Sequence, residues 1–501
     1  MNKKILIIIL CLLPLLSFAR EVDVLCINDL HGNVMSYDKN LGMAKLATVI
    51  KNKIKHHPNT IVVFGGDNYA GSPVSDYFRG APVTDLIHEL HITASAVGNH
   101  EFDNGVANIS KLAHAGHFTF VAANIFNMKT NQPVKWTKPY IMVKKGGVKI
   151  AFIGLATQET PYTIAPGEAK GLVFKDPAKC AQHWINYLKA GRDPQGKPDI
   201  IIALTHIPSI QDGATGKITA SKELFSLCNN TKGLDAVISA HSHKIVHGFV
   251  NHIPVVQGYC YGRTIASLKI KINRAGHVAK IIPQVDLVYK RKKDISPDKQ
   301  AEVALKHYIK LLPKKYKKVL AVSTGKFLHS TEDLTSHPLD TWLCSLLQKD
   351  LHTQISMMNG GFVRGDLQKG PVTILELKRI AYFPNELITL RLSGRNLYKF
   401  LEKSIPHGLQ FSGIKVYYRK HARKNHHVKK ILLGSKPIKR DKYYSIVINS
   451  FMLAGGNEED FSHAIDIVHT HKSINKELMR LIKQQKIIRP VKESKNTLIL
   501  I

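Results

Sequence analysis

Six residues in the first quarter of the chain, Gly98-Asn99-His100-Glu101-Phe102-Asp103, indicate the fold. They follow a short apolar run at residues 92–97, whose composition predicts a β-strand. The glycine allows a sharp turn at the end of the strand. Beyond it stand side chains that bind metals or transfer protons. This arrangement is typical of α/β sheets, which carry their chemistry in the loops beyond the strand ends.

Polar segments of the same kind follow four other predicted strands. They are Asn28-Asp29-Leu30-His31-Gly32-Asn33 after 22–27, Gly65-Gly66-Asp67-Asn68 after 60–64, Thr205-His206 after 199–204, and Ala240-His241-Ser242-His243 after 236–238. Further apolar runs at 118–122, 149–153 and 254–257 alternate with helical periodicity at 44–53, 176–189 and 222–228. We therefore predict a layered α/β domain of about 270 residues.

Strands that end at a common edge of a sheet would bring these five segments together. A single histidine after a strand is more often a surface or core residue than a ligand, but five such segments in one kind of position favour a metal site. Carboxylate, amide and imidazole donors without thiolates suit Zn²⁺ or Mn²⁺ best, with Mg²⁺, Ca²⁺ and Co²⁺ as further options. One Asp between two ions can hold them about 3.5–4 Å apart, as two-metal phosphate-ester hydrolysis requires.

The N-terminus has the layout of a secretory signal peptide. Lys3 and Lys4 precede an apolar run at 5–16, and Ser17-Phe18-Ala19 offers small residues two apart. We predict a signal peptide at residues 1–19 that is cut after Ala19. The alternative is an uncleaved anchor, for which the apolar run is short. The predicted protein crosses the inner membrane and is periplasmic or extracellular.

The composition is that of a folded protein with a strongly basic surface. Of 501 residues, 44% are hydrophobic and 22% are charged, which excludes a disordered chain and predicts two or three domains. Lys and Arg exceed Asp and Glu by 34, so anionic surfaces would attract the chain nonspecifically. No nucleic-acid-binding motif interleaves with the basic clusters, and we predict no specific nucleic-acid partner. The six cysteines form no CxxC pair, which disfavours thiolate zinc sites.

A basic, helical segment divides the chain in two. Lys290-Arg291-Lys292-Lys293 ends the first part, and Ser296-Pro297 would begin a helix at 298–311, with the serine as its N-cap. We predict a catalytic domain at 20–290, a helical linker at 291–318 and a mixed α/β second domain at 319–501.

One motif of the second domain suits recognition of an anion. Asn359-Gly360-Gly361-Phe362-Val363-Arg364 follows the apolar run 354–358. Its glycines expose backbone N–H groups, and its arginine can form a fork of hydrogen bonds with a phosphate. By itself this signal is weak, because Gly-Gly turns are common.

The D-x-H, G-G-D-N, G-N-H-E-F-D, T-H and H-S-H segments together resemble the calcineurin-like metallophosphoesterases. The G-N-H-E-F-D form, joined to a second domain of this length, is similar to the 5′-nucleotidase branch, which includes periplasmic bacterial enzymes that also cleave UDP-sugars. The resemblance covers nearly the whole chain after residue 19. It implies a layered α-β-β-α metallophosphoesterase domain followed by a smaller mixed α/β substrate-binding domain.

The resemblance also implies the metal ligands. One ion would be held by Asp29, His31 and His243, the other by Asn99, His206 and His241, with Asp67 bridging the two. His243 departs from the family, which often has Gln or Asn there; imidazole is still a competent ligand. His100 and Asp103 resemble the catalytic dyad, in which a carboxylate orients an imidazole and raises its pKa. Glu101 between them is expected to be structural.

For the second domain, the resemblance implies that Asn359 and Arg364 hold the substrate. Phe383, in Tyr382-Phe383-Pro384-Asn385, and Phe451, in the stretch 451–457, would sandwich a nucleobase. Asn457 stands where the family has an Asp that binds ribose, and the family's additional Arg has no counterpart near Thr331-Glu332. These departures concern the choice of substrate and not the phosphate-cleaving centre.

The function implied is hydrolysis of phosphate from nucleotides by a water molecule that two metal ions activate. One alternative is a hydrolase of the same fold that acts on UDP-sugars, cyclic nucleotides or a sulfur ester. A second alternative, from another class, is a non-catalytic protein that binds anionic surfaces through its positive charge.

Overall fold

The computed structural model describes residues 20–165, 167–219, 221–329, 337–423, 425–490 and 497–501. The predicted signal peptide at 1–19 lies outside the described residues, as do Thr331 and Glu332. Within the described ranges, no helix combines the length and apolarity needed to cross a membrane. The five described cysteines are all free thiols.

The first sheet has four parallel strands at its centre and edge, extended by an antiparallel pair. Thr60–Phe64 is buried at every position, as a parallel strand covered on both faces must be. In spatial order the strands are Val278–Asp286, Ile265–Ile272, Arg20–Ile27, Thr60–Phe64, Ala94–Ala96 and Thr119–Val121.

The second sheet has the same plan, with a parallel centre and antiparallel edges. Ile200–His206 is buried along its whole length. In spatial order the strands are Val246–Val250, Ile253–Gln257, Ala236–Ile238, Ile200–His206, Val148–Ala156 and Tyr140–Lys145. A separate antiparallel pair is formed by Ile125–Asn127 and Leu172–Phe174.

The two sheets face each other and are covered by helices on their outer sides. Alternate residues of the strands, such as Val24 and Val63 from the first sheet and Ile202 and Ile238 from the second, share one core cluster between the sheets. The opposite faces pack against helices, which are Gly42–His56, Pro73–Tyr77, Ala81–Glu89, Val106–Ala115, Thr160–Thr163, Pro177–Lys189 and Lys222–Asn230. The predicted α-β-β-α layering is confirmed.

The helix predicted in the linker is present at Lys299–Leu311, but it begins differently from the prediction. Its N-cap is Asp298, whose carboxylate accepts a hydrogen bond from the backbone N–H of Ala301 at 3.1 Å; it is not Ser296. Asp298 directly precedes the first helical residue, and Asp is a preferred N-cap; its carboxylate also pairs with Lys51 at 2.8 Å. Ala301 is fully buried in the core of the first domain, so this helix packs on that domain.

The second domain is a smaller mixed α/β unit. Its central sheet contains, in spatial order, Gln410–Ser412, Ile355–Met358, Tyr443–Asn449, Glu386–Ser393 and Ile465–Ser473. Two smaller sheets consist of Lys436–Pro437, Val428–Leu433, Ile414–Tyr418 and Leu498–Leu500, and of Gly370–Thr373, Val319–Ser323 and Ile487–Ile488. Its helices are Pro338–Asp350, Ile374–Ile380, Gly394–Ser404, Ser450–Leu453 and Ile474–Gln485.

Candidate active site

The five polar segments meet where the two sheets of the first domain end. Three lie just beyond parallel neighbours of the first sheet, after Ile27, Phe64 and Ala96. The other two lie at the ends of Ile200–His206 and Ala236–Ile238, which are parallel neighbours in the facing sheet. The carboxyl ends of the parallel strands in both sheets lie on the same side of the domain. The topology therefore brings together the side chains that the sequence analysis identified.

The backbone is strained where it presents these side chains. Positive φ angles occur at Asp29 (50°), His31 (49°), Asp67 (54°), His241 (74°) and His243 (54°). Such a conformation in a non-glycine residue costs on the order of 1–3 kcal/mol and persists only where neighbouring structure enforces it. Here backbone hydrogen bonds between the loops do so; the N–H of His31, for example, donates to the carbonyl of Asp67 at 2.8 Å.

One group of donors consists of Asp29, His31 and His243. The Nε2 atoms of His31 and His243 are 2.9 Å apart, and His243 Nε2 lies 3.6 Å from Asp29 Oδ1. Asp29 and His31 are buried, while 29% of the His243 side chain is exposed, so this group opens on one side.

A second group consists of Asn99, His206 and His241. His206 Nε2 lies 3.2 Å from Asn99 Oδ1 and 3.2 Å from His241 Nδ1. His206 and Asn99 are buried, and His241 is partly exposed.

Asp67 lies between the two groups. Its Oδ2 atom is 3.6 Å from Nε2 of His31 and 3.3 Å from Nε2 of His206. Its other oxygen, Oδ1, accepts a hydrogen bond from the backbone N–H of His100 at 2.8 Å. Gly98 permits this approach, because a Cβ atom there would collide with Oδ1 of Asp67. A single carboxylate oxygen is therefore shared by both groups of donors.

Neighbouring groups fix the orientation of these side chains. Nδ1 of His31 faces the carbonyl of Ala70 at 3.0 Å, and Nδ1 of His206 faces that of Gly65 at 2.8 Å. With Nδ1–H donating, each Nε2 presents a lone pair, as an imidazole ligand must. Glu101 accepts hydrogen bonds from the backbone N–H groups of Asp67, Asn68 and Gly98 at 2.7–2.8 Å. It holds the loops, as expected of a structural residue.

The charges of the cluster suit bound cations. Burial lowers the pKa of His31 and His243 well below the usual range and that of His241 to about 3, which favours the neutral, ligating form. Asp67 is buried with imidazoles as its ion-pair partners among the described residues. Although burial opposes both shifts, contact with His206 lowers the pKa of Asp67, and Asp67 raises the pKa of His206 to about 10, so without a metal the protonated His206 balances the charge that a bound cation would balance.

His100 and Asp103 form a close pair beside the cluster. His100 Nδ1 lies 2.8 Å from Asp103 Oδ2, and the His100 ring contacts that of His31, with centroids 5.1 Å apart. Burial disfavours the charged imidazole and opposes a high pKa. The attraction of the Asp103 carboxylate acts in the opposite direction, and the pKa of His100 is raised. Nδ1 is thus held by Asp103, which leaves Nε2 as the atom that can exchange a proton.

Two of the substrate residues predicted in the second domain reach this centre. The guanidinium of Arg364 lies 3.4 Å (Nη1) from Nδ1 of His31 and 4.7 Å from the ring centre of Phe383. Phe383 in turn stacks beside His100, with ring centroids 5.8 Å apart. Arg364 Nε is buried and makes no hydrogen bond to the described residues, which leaves a donor available to a ligand.

The other three predicted substrate residues lie elsewhere. Asn359 is buried, and its Oδ1 accepts a hydrogen bond from Nδ2 of Asn449 at 2.9 Å, a bond that joins two strand ends. Phe451 packs its ring against Gly456. Asn457 belongs to the short 3₁₀ turn Gly456–Glu458, which packs against the helix Thr160–Thr163 of the first domain.

A cavity of about 640 Å³ between the domains contains residues that the sequence analysis missed. Tyr261 and Arg263 line it, and the Tyr261 ring contacts those of His31 and His243 at 5.6 and 5.5 Å. They follow the strand Ile253–Gln257 in Gly258-Tyr259-Cys260-Tyr261-Gly262-Arg263. The other five segments also lie at or just beyond the end of a strand. This position was the sequence signal by which Tyr261 and Arg263 could have been found.

Two family profiles match the chain. The profile described as "Calcineurin-like phosphoesterase" matches residues 22–245, and that described as "5'-nucleotidase, C-terminal domain" matches residues 319–464. Their order and extent agree with the two units of the fold.

Curated relatives align over most of the chain. The "Endonuclease YhcR" of Bacillus subtilis is 27% identical over 459 residues, which are 86% of this chain but only 37% of that protein. The "5'-nucleotidase" of Vibrio cholerae is 25% identical over 490 residues, 87% of this chain and 85% of that one. Among solved structures, a "5'-nucleotidase precursor" of Thermus thermophilus shares the fold with a TM-score of 0.80, at 20% identity, and covers 96% of this chain and 99% of that chain.

Proposed function

The chain belongs to the 5′-nucleotidase family and is a metal-dependent hydrolase, and from this premise we propose that it releases phosphate from nucleotides at the Asp67 cluster. One observation carries the proposal. A single oxygen of Asp67 lies 3.6 Å from one imidazole group and 3.3 Å from the other, which is the arrangement of a carboxylate shared by two cations.

The family uses divalent metal ions, and the donors present fit two of them. We propose that Asp29, His31 and His243 hold one ion, that Asn99, His206 and His241 hold the other, and that Asp67 bridges them. Zn²⁺ and Mn²⁺ suit this mixture of imidazole and oxygen donors. When bound, the two cations supply Lewis-acid polarisation of the phosphoryl group and of the attacking water.

In this proposal His100 acts on the leaving group. Asp103 holds Nδ1 of His100 at 2.8 Å, so that the Nε2–H can donate a proton or a hydrogen bond to the departing oxygen. The raised pKa of His100 supports this role, because a protonated imidazole is the form required.

Arg364 and Phe383 would receive the substrate. Arg364 supplies a buried N–H beside His31 that has no acceptor among the described residues, which suits an anionic phosphoryl oxygen. Phe383 offers an aromatic face next to His100, and Phe451 would close on the other face of a base. Asn359 would act by shaping the Gly360-Gly361 turn, and Asn457 by hydrogen bonding to the ribose.

Residues 20–290, 291–318 and 319–501 serve in this proposal as catalytic domain, linker and substrate-binding domain. We also propose export: residues 1–19 direct the chain across the inner membrane, and the mature enzyme meets its substrate in the periplasm or outside the cell.

A second candidate function is cleavage of a polynucleotide. The excess of 34 basic residues favours it, as does the likeness to a protein named as an endonuclease. The alignment covers only 37% of that relative, so nuclease activity of the present chain is a proposal.

A panel of substrates tests both candidates. Purified protein with Zn²⁺, Mn²⁺ or Mg²⁺ is assayed for phosphate release from AMP, UDP-glucose, a cyclic nucleotide and an aryl phosphate, and for cleavage of single-stranded DNA. We expect release of phosphate from AMP. Cleavage of DNA without phosphate release from AMP would favour the second candidate, and inertness towards every substrate would contradict both.

A further inference from the structure

A second cluster of two histidines and one carboxylate lies in the C-terminal domain, apart from the Asp67 centre. Nδ1 of His329 is 2.9 Å from Oδ2 of Asp340, and Nδ1 of His337 is 3.9 Å from Oδ1 of the same carboxylate. Each imidazole thus faces a different oxygen of one buried side chain. His329 and His337 also line the 640 Å³ cavity between the domains.

The backbone holds these three residues in place. The N–H of His329 donates to Oδ1 of Asp366 at 2.8 Å, and the N–H of His337 donates to Oε1 of Gln410 at 3.2 Å. Asp340 lies in the first turn of the helix Pro338–Asp350. His337 is the N-cap of the same helix, so His337 and Asp340 start from one helix end, and the backbone of His329 is tied separately to Asp366.

Burial makes the carboxylate an unusual component of a protein interior. Asp340 is 0% exposed and His337 is 7% exposed. In the described part of the chain the ion-pair partners of Asp340 are His329 and His337. A buried carboxylate with two imidazoles around it is a set of donors that a divalent cation can bring together.

The geometry repeats that of the two donor groups around Asp67. Like the triads Asp29–His31–His243 and Asp67–His206–His241, this cluster contains two imidazoles and one carboxylate whose ligand atoms lie within 4.8 Å of one another. The ring centroids of His329 and His337 are 5.3 Å apart, compared with 4.9 Å for His31 and His243 and 5.0 Å for His206 and His241.

We propose that His329, His337 and Asp340 form a third divalent-metal site, of the type that binds Zn²⁺. Two imidazoles and one carboxylate make up the protein donor set of open zinc sites, in which a fourth position remains for water or a ligand oxygen. Since His329 and His337 line the cavity between the domains, a ligand oxygen for the fourth position would come from that cavity. The site is independent of the proposed nucleotidase activity, because none of its ligands belongs to the Asp67 centre.

The basic residues nearby do not occupy the site. Nζ of Lys326 is 2.7 Å from Oδ2 of Asp366 and 3.4 Å from Oδ1 of Asp38, so two carboxylates hold its charge. Arg364 contacts His31 and Phe383.

Zinc stoichiometry of the full chain tests the proposal. Protein stripped with a chelator is dialysed against Zn²⁺ and then against metal-free buffer, and bound zinc is measured by inductively coupled plasma mass spectrometry. We expect three ions in the wild type and two in H329Q and in H337Q. The matched control H469Q changes an exposed histidine that pairs with Glu386, and it should keep three.

The D67A variant separates the two sites. D67A should lose zinc from the Asp67 centre and keep the zinc ion at the His329 cluster. The double variant D67A/H329Q should lose that remaining ion as well. Saturation of the wild type at two ions overturns the third site whether or not the variants fold, and so does full zinc retention in both H329Q and H337Q. Unchanged zinc in D67A would instead contradict the proposed dinuclear centre.

Discussion

The proposed metal centre of the first domain and the proposed substrate-binding residues of the second domain differ in how tightly they converge. Around Asp67, six other proposed ligands from four further segments each lie within 3.6 Å of another member of the cluster. In the second domain, Arg364 and Phe383 reach that centre, whereas Phe451 packs on Gly456 and Asn359 bonds to Asn449. The proposed catalytic cluster is thus preformed, whereas only two of the five proposed substrate residues reach it.

The largest effect should follow from breaking the preformed cluster at its shared ligand. Loss of both ions in D67A would remove several kcal/mol of charge stabilisation. At about 1.4 kcal/mol per tenfold change, this corresponds to a fall in kcat/KM on the order of 10⁴-fold or more for every phosphate ester. Steady-state kinetics with a nucleotide and an aryl phosphate measure it. The control D441A alters a carboxylate that is 88% exposed and should leave activity unchanged.

Next in size is the effect of H100A. Loss of the proton donor should lower kcat by about 10²–10⁴-fold, while metal content stays nearly intact. H469A, which removes a surface histidine of another carboxylate pair, is the matched control. A variant that loses its metal together with its activity would show that His100 is a ligand and that the assignment of the loop is wrong.

A smaller effect with a distinctive pH signature is expected from D103N. Asp103 raises the pKa of His100. The protonated His100 is present at low pH and loses its proton only as the pH rises through the raised pKa. Without the carboxylate, the alkaline limb of the kcat profile should move to lower pH. Activity at the optimum should fall about 10–100-fold, as for other supporting carboxylates. An unmoved alkaline limb would contradict the role of the pair.

The sequence predicted the layers and the ligand segments well for a physical reason. Buried parallel strands have long apolar runs, and topology alone brings the loops beyond their ends together, so Asp29, Asp67 and His206 could be grouped without coordinates. The N-cap at Asp298 was missed although it is local, because Ser296 before Pro297 and Asp298 are both acceptable N-caps in sequence and only the structure shows where the helix begins. Tyr261, Arg263 and the His329 cluster depend on packing between distant segments or between domains, which periodicity does not encode.

The proposed substrate-binding residues can be examined with F451A. If Phe451 stacks on a nucleobase in the complex, its loss should weaken nucleotide binding by about 1–3 kcal/mol and spare an aryl phosphate bound mainly at the metals. Phe383→Ala should affect both substrates, because Phe383 packs beside His100. F249A changes a phenylalanine that is 57% exposed and serves as control. Equal loss on both substrates in F451A would indicate a structural role.

The smallest expected effect is a gain from N457D. The carboxylate would accept stronger hydrogen bonds from ribose hydroxyls than the present amide does, which should lower the nucleotide KM roughly two- to fivefold, with little change in kcat. Isothermal titration with a non-hydrolysable nucleotide provides an independent value. Improvement towards an aryl phosphate as well would contradict a ribose contact.

The most direct measurement of the central claim is an anomalous difference map from crystals of the full chain grown with Mn²⁺ or Zn²⁺. The account predicts two peaks about 3.5–4 Å apart on either side of Asp67. One should lie against Asp29, His31 and His243, and the other against Asn99, His206 and His241. A single peak, or two peaks that do not share Asp67, would contradict the two-metal centre on which the proposed hydrolysis depends.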